Sequence, residues 1–241
     1  MYINIIFPVL NERLRLESGI RRTVEYLDSI QFTDYKITVV DNGSVDETPQ
    51  IAAALCREFP QMHYERIDVR GVGAAFRKGV ELNDCEIVGY MDIDLSTNIK
   101  HLGEAIELFK KNAKLQYING SRFSKDSDTK GRKWYRQITS MGLLILLKLF
   151  LRMKCTDAIC GFTFMRKEVA EELIAGSSQD NGWFYMIEVL LRAEKRGVNI
   201  LDYPVDWQED YNTTVKIFKT VCNYLVQISR LFVEFYIKRN I

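Results

Sequence analysis

At 241 residues the chain is long enough to bury a sizeable core, as one large domain or as a domain with an appendage, and 47% hydrophobic with 27% charged residues excludes a disordered chain. Lys plus Arg at 33 against Asp plus Glu at 32 leaves a formal charge of +1, so no global field recruits nucleic acid and any basic site must be local. The cysteines, Cys56, Cys85, Cys155, Cys160 and Cys222, include no C-x-x-C pair, which argues against a zinc knuckle or redox motif and for reduced, mostly buried thiols in a cytosolic setting.

The chain opens on an apolar strand, Ile3 to Val9, which has neither the basic region nor the cleavage site of a signal peptide. It ends in Asn11-Glu12, and Leu14, Leu16, Ile20, Val24 and Leu27 then recur at helical spacing. Lys36 to Val40 repeats the pattern, stops in Asp41-Asn42-Gly43-Ser44, and leads to a helix from about Glu47 to Phe59 with Asp46 placed to cap it. A third strand, Met62 to Ile67, enters Arg70-Gly71-Val72-Gly73 and a helix to Leu82. The fourth, Ile87 to Met91, ends in Asp92-Ile93-Asp94-Leu95-Ser96 and is followed by a helix from about Lys100 to Lys111. Leu115 to Asn119 is a fifth, ending in Gly120-Ser121-Arg122. Strands and helices alternating at this length predict an α/β fold with a mainly parallel sheet, whose ligands bind beyond the carboxyl ends of the strands.

Ser124 to Arg136 is polar and without apolar period, which predicts a mobile surface loop. Ile138 to Met153 is almost wholly apolar and bordered by Arg132, Lys133, Arg136, Lys148, Arg152 and Lys154. It is too short and interrupted to span a bilayer, and a core helix and a helix lying in the membrane interface fit it equally. Thr163 to Met165 predicts a short strand, Asn181 to Arg196 a helix and Asn199 to Trp207 a last strand. From Thr213 to Lys238, Phe218, Val221, Leu225, Ile228, Phe232 and Phe235 give an amphipathic helix suited to a membrane surface or a second copy of the chain. The division expected is therefore 1–212 and 213–241.

The most informative stretch is Asp92-Ile93-Asp94. Alternate residues of an extended chain share a face, and two ionised carboxylates that close are costly without a cation between them. A divalent ion with open positions, which could also take phosphate oxygens, suits them; solvated turn aspartates or a helix cap would leave the same trace.

Six segments in order, F-P-V-L-N-E, V-V-D-N-G-S-V-D-E-T, R-G-V-G-A-A-F-R-K-G, M-D-I-D-L-S, G-S-R-F and D-A-I-C-G-F, resemble the inverting glycosyltransferases of family 2, with the GT-A fold. Within it they look most like the dolichyl-phosphate mannose synthase and polyprenyl-phosphate glucosyltransferase branch. The resemblance covers roughly residues 3 to 210 and assigns roles. Pro8, Asn11, Glu12, Asp41 and Asn42 match the nucleotide-contacting loops, with Asp41 accepting from the base and Asn42 standing where many members have a second Asp. Arg70, Gly71 and Gly73 match a loop over the nucleotide, with Val72 where relatives often carry Lys and Arg70 or Lys78 as its replacement. Asp92, Asp94 and Ser96, the last in the place of a common Gln, match the metal motif for Mg²⁺ or Mn²⁺. Arg122 matches a phosphate-binding arginine, Asp157 the acceptor-side loop and Glu188 a carboxylate on the following helix, although Glu188 could equally pair with Arg192 one turn on. Trp207, Asp210 and Thr213 match the closing loop, and the basic loop adds Arg132 and Arg136 for the acceptor.

The implied activity is transfer of a hexose, with inversion, from a UDP- or GDP-sugar to a polyprenyl phosphate by a protein peripheral on the cytoplasmic membrane face. Its rivals are transfer to a sugar hydroxyl, for which Asp157 or Glu188 would be the base, and a catalytically weak nucleotide-sugar binding protein. A nucleotidyltransferase would normally carry a basic glycine-rich loop after the first strand, where this chain reads P-V-L-N-E.

Overall fold

In a computed structural model the described residues are 1–131, 134–209 and 217–239, with side chains described from 222 in the last span. Arg132, Lys133, Asp210, Thr213 and the side chains of Phe218 and Val221 lie outside them.

The N-terminal half alternates as its pattern requires: β1 (Ile3–Val9), α1 (Leu16–Ser29), β2 (Tyr35–Asp41), α2 (Thr48–Glu58), β3 (Met62–Arg66), α3 (Val72–Glu81), β4 (Ile87–Met91), α4 (Lys100–Lys111) and β5 (Tyr117–Ser121). Then follow β6 (Thr129–Lys130), α5 (Trp134–Leu151), β7 (Phe162–Arg166), α6 (Lys167–Gly176), α7 (Phe184–Lys195), β8 (Ile200–Pro204), β9 (Trp207–Gln208) and α8 (Ile217–Phe232), which runs on as a π-helical turn, Val233–Lys238. The main sheet has the order β3-β2-β1-β4-β7-β5-β8. Parallel strands covered by helices on both faces must be apolar on both, and β1 and β4 are buried at every position except Pro8.

Side-chain alternation divides the core in two. Ile5 and Phe7 face α1, α2 and α4, while Ile6 faces α3 and the C-terminal helices. On that second side α5 buries Leu143, Leu144, Leu147 and Leu151, and α8 with its π turn adds Ile228, Leu231 and Phe235. The Tyr224 ring packs on Phe184 at 5.3 Å, and the Tyr236 hydroxyl donates to the Leu151 carbonyl at 2.9 Å. Leu225 and Phe232, also on the predicted amphipathic period, are exposed.

Three expectations change. Strand β7 lies antiparallel between β4 and β5, so the sheet is mixed. The polar stretch after Phe123 is not a featureless loop: β6 pairs in parallel with β9, Trp207 bridges Thr97 beside the carboxylates, and α5 begins within the predicted loop, at Trp134. An unforeseen helix, α6, follows β7. Asp46 does act at the start of α2, its Oδ1 accepting from the Thr48 amide at 3.0 Å and the Thr48 hydroxyl at 2.6 Å.

Candidate active site

The carboxyl ends of β1, β4 and β5 open into a cavity of about 1000 Å³. At one end stand Pro8, Glu12, Asn42, Gly71, Asp92, Asp94 and Ser96; in the middle Arg122, Arg136, Ser140, Trp207 and Glu209; at the other Leu143, Leu146, Met186, Leu190, Leu225 and Ile228 from α5, α7 and α8. A polar cleft and an apolar gallery thus belong to one cavity.

Asp92 and Asp94 are held in place by their own chain. The Tyr90 hydroxyl donates to Asp92 Oδ1 at 2.6 Å, and the Ser96 amide to Asp94 Oδ1 at 2.9 Å. A Cβ on Gly161 would fall on the Asp92 carboxylate, so glycine is required in D-A-I-C-G-F to leave that carboxylate its space. Burial, and then the Asp94 charge, push the Asp92 carboxyl up to about 6, against the pull of Tyr90 and Arg122. A buried carboxylate whose ionisation is penalised, with a second carboxylate two residues on, suits a cation. Among the described residues no cluster of three or more His, Cys, Asp or Glu surrounds one point, so the fit is to a hard ion that takes one or two protein carboxylates and fills its shell with water and phosphate oxygens. Ser96 lines the cavity beside them.

Arg122 is 8% exposed and Asp157 fully buried. Asp157 Oδ2 accepts from the Arg122 amide at 3.1 Å and from Nε at 2.7 Å, and Oδ1 accepts from Nη2 at 3.1 Å and from the Ile159 amide at 3.0 Å. Burial alone would lower the Arg122 pKa, and Asp157 raises it instead. The guanidinium lies 5.4 Å from the Trp207 ring, close enough for cation–π attraction. Arg136, in the first turn of α5, pairs with Glu209.

Other expected residues stand elsewhere. Glu188 is fully buried away from the cavity, accepting from the Ser178 amide at 2.9 Å, the Ser178 hydroxyl at 2.6 Å, Arg192 Nε at 2.9 Å and Arg230 Nη2 at 2.5 Å. The pairing alternative holds for it. Asp41 is fully buried and already accepts from the Ser44 amide at 2.7 Å and the Tyr64 hydroxyl at 2.8 Å; its neighbour Asn42 lines the cavity. Asn11, at φ +57°, braces the same loop by accepting from Val45 N. Arg70 is exposed, and Lys78 pairs with Glu81 at 3.0 Å on the outer side of α3; neither lines the cavity. Gly71 does, but the space its missing side chain leaves is taken by the Asn181 carbonyl, and that at Gly73 by Asp180 and Tyr185. These glycines admit the chain's own loop. Glu209, Tyr90 and Ser140 are cavity residues that the sequence reading did not single out.

Residues 4–174 match the family model described as Glycosyl transferase family 2. The chain belongs to that family. This glycosyl transferase is 31% identical over 241 residues to the glycosyltransferase AglD of Haloferax volcanii, a match spanning 99% of this chain and 38% of that protein. It is 26% identical over 220 residues to the dolichyl-phosphate beta-glucosyltransferase of Dictyostelium discoideum (87% and 67% of the two chains). With the dolichol-phosphate mannosyltransferase of Pyrococcus furiosus it shares 26% over 233 residues (96% and 64%). The chain therefore spans little more than a third of the first relative's length and about two thirds of the others'. Its fold is GT-A: the glucosyl-3-phosphoglycerate synthase of M. tuberculosis superposes with a TM-score of 0.69 at 18% identity, over 94% of this chain and 80% of that one. A structure of that enzyme with Mn²⁺, UDP-glucose and phosphoglyceric acid gives 0.67 at 17% over 97% and 79%. The family assignment makes the chain a glycosyltransferase.

Proposed function

We propose that this family 2 enzyme moves a hexose from a UDP- or GDP-sugar to a polyprenyl phosphate, at the cytoplasmic surface of a membrane. The observation that carries this reading is the continuity of the cavity, from the Asp92 and Asp94 carboxylates past Arg122 and Arg136 into the gallery between α5, α7 and α8. A phosphate on an isoprenoid chain needs those two surroundings side by side. The relatives named as dolichyl-phosphate glucosyltransferase and dolichol-phosphate mannosyltransferase support the same acceptor class.

Asn42, Pro8 and Glu12 border the nucleotide end, and Asp92 and Asp94 would hold Mg²⁺ or Mn²⁺. That ion would offset charge on the leaving diphosphate. Arg122, fixed by Asp157, and Arg136 hold the acceptor phosphate, because guanidinium stays charged and pairs with phosphate through two bonds. One acceptor oxygen attacks the anomeric carbon from the face opposite the diphosphate; the new C–O bond forms as the old one breaks, which inverts the configuration. No base is required, since a phosphate monoester has a second pKa of about 6 and arrives ionised. Transfer to a hydroxyl would need a carboxylate base, and both carboxylates expected for that task are engaged, Asp157 by Arg122 and Glu188 outside the cavity.

Attachment to the membrane rests on α5. Its outer face carries Trp134, Ile138, Met141, Ile145 and Leu149, all exposed and three or four residues apart, with Lys148, Arg152 and Lys154 exposed nearby. A contiguous apolar stripe of this size beside basic side chains suits an interface with anionic lipid. Among the described residues no helix is long and apolar enough to cross a membrane.

The test is product formation. Incubated with Mn²⁺, a panel of UDP- and GDP-hexoses and undecaprenyl or dolichyl phosphate, the enzyme should yield a lipid-linked sugar. Transfer to phosphoglycerate or to a free sugar with no lipid product would refute the reading.

A further inference from the structure

Glu209 takes no part in the chemistry above, yet it is the most conspicuous polar group in the cavity. Its side chain is 1% exposed. One oxygen pairs with Arg136, while Oε2 has no hydrogen-bond partner among the described residues. A buried carboxylate oxygen without a donor is costly. The backbone around it is nonetheless fastened at each step: the Trp207 amide donates to Asp128 O at 2.7 Å, the Gln208 amide to Ser96 O at 2.8 Å and the Glu209 amide to Lys130 O at 3.1 Å. Glu209 is thereby tied one residue away from the loop that carries Asp94, and Trp207 carries Arg122 on its ring. The unpaired oxygen belongs to the junction where donor and acceptor meet.

An ionised carboxylate only accepts hydrogen bonds, so whatever completes Oε2 must donate. Resting on the nucleotide-sugar reading, the choice is narrow. The diphosphate and an ionised acceptor phosphate bring no donor, and the base with the ribose and its hydroxyls belongs at the Asn42 end of the cavity. The hexose brings several hydroxyls to the junction. We propose that Glu209 is the sugar-reading residue of this enzyme, its Oε2 accepting from a hydroxyl of the donor hexose while Oε1 stays on Arg136. The arrangement favours a neutral hexose and disfavours a hexuronate, whose carboxylate would meet a second one.

The experiment compares affinities for a nucleotide sugar and for its bare diphosphate. By calorimetry with Mn²⁺, wild type, Glu209→Gln and Glu209→Ala are titrated with UDP-glucose, UDP-galactose and GDP-mannose, and with UDP and GDP. Loss of a hydrogen bond to a charged group should weaken the sugar nucleotide by roughly 10- to 100-fold in Glu209→Ala. The loss should be smaller in Glu209→Gln, which retains an acceptor, and UDP or GDP binding should be unchanged in both. That unchanged binding also reports an intact fold. If either variant binds the sugar nucleotide as wild type does, or loses it and the bare diphosphate equally, Glu209 does not read the sugar. If Glu209→Gln keeps sugar-nucleotide affinity but lowers kcat by about 100-fold or more and flattens the acid limb of the pH–rate profile, Glu209 is a general base. That result overturns this assignment and the phosphate acceptor together. Wild type binding none of these nucleotides would defeat the nucleotide-sugar reading itself.

Discussion

Asp157 holds Arg122 by three hydrogen bonds, to its amide, its Nε and its Nη2. Both carboxylate oxygens are thereby committed, and a residue whose sequence position suggests a base becomes a clamp. Removing the clamp should disturb where the arginine sits more than how protons move. Asp157→Asn should raise the acceptor KM and leave the pH–rate profile unchanged, with kcat falling well short of the roughly 100-fold or more that marks a lost base. Arg122→Lys, which keeps the charge and loses the fork, should raise the acceptor KM further. Steady-state kinetics against acceptor concentration decide it; a new pH limb in Asp157→Asn would restore that residue as base.

The ion network behind the site should govern stability, not turnover. Burial pushes the Glu188 carboxyl up, but hydrogen bonds from Arg230 and Ser178 outweigh it and leave the pKa below the ordinary value. A carboxyl lowered on folding adds stability that is present above its unfolded pKa, about 4.3, and lost as pH falls through the folded value. Glu188→Gln leaves buried Arg192 and half-buried Arg230 with Glu234 as their remaining carboxylate partner, and loss of the charged hydrogen bonds to Glu188 should cost about 1.5–3 kcal/mol at pH 7. Melting temperatures from pH 3 to 7 should show wild type losing its advantage over the variant toward the acid end, with nucleotide affinity at pH 7 alike in the two.

Metal dependence follows from Asp92 and Asp94. Chelator or Asp94→Ala should abolish transfer, and Mn²⁺ or Mg²⁺ should restore only the wild type. Two protein carboxylates make a weak site alone, so calorimetry should find metal binding much tighter with UDP or GDP present. Because Asp92 is raised to about 6, protons compete as pH falls through that value, and apparent metal affinity should drop by up to about tenfold per pH unit below it. Full activity in chelator would contradict the assignment.

How the sequence relates to these sites differs residue by residue. Asp92 and Asp94 are legible because an all-apolar strand ends on them. The direction of β7 is not, since a strand inside a covered sheet is equally apolar in either sense. β6 and β9 have two residues each, too few for a period, so the strap that brings Glu209 to the junction left no trace. At the end of β2 the motif names Asp41 and Asn42 together, both are buried, and only the side-chain partners decide which meets the cavity: Asp41 is taken by Ser44 and Tyr64, whereas Asn42 lines it. The glycines of R-G-V-G look the same whether they admit a phosphate or Asn181.

The exposed face of α5 predicts membrane binding that acidic substitutions on its apolar stripe should cancel. Sedimentation with vesicles containing anionic lipid should carry down wild type at low salt, less at high salt. Ile145→Asp with Leu149→Asp should stay in the supernatant with an unchanged melting temperature, since neither side chain is in the core. Wild type remaining in solution would turn this face into a contact with another protein surface.

The central claim is that one cavity takes a phosphate and its isoprenoid chain together, and acceptor chain length tests it most directly. Initial rates are measured with isoprenyl phosphates of increasing length, from a single isoprene unit upward, and with 3-phosphoglycerate, at fixed nucleotide sugar. Burial of hydrocarbon contributes about 0.8 kcal/mol per CH₂, so KM should fall at least several-fold per added isoprene unit until the gallery is full, with kcat nearly constant. Equal use of every chain length, or preference for 3-phosphoglycerate, would contradict the account.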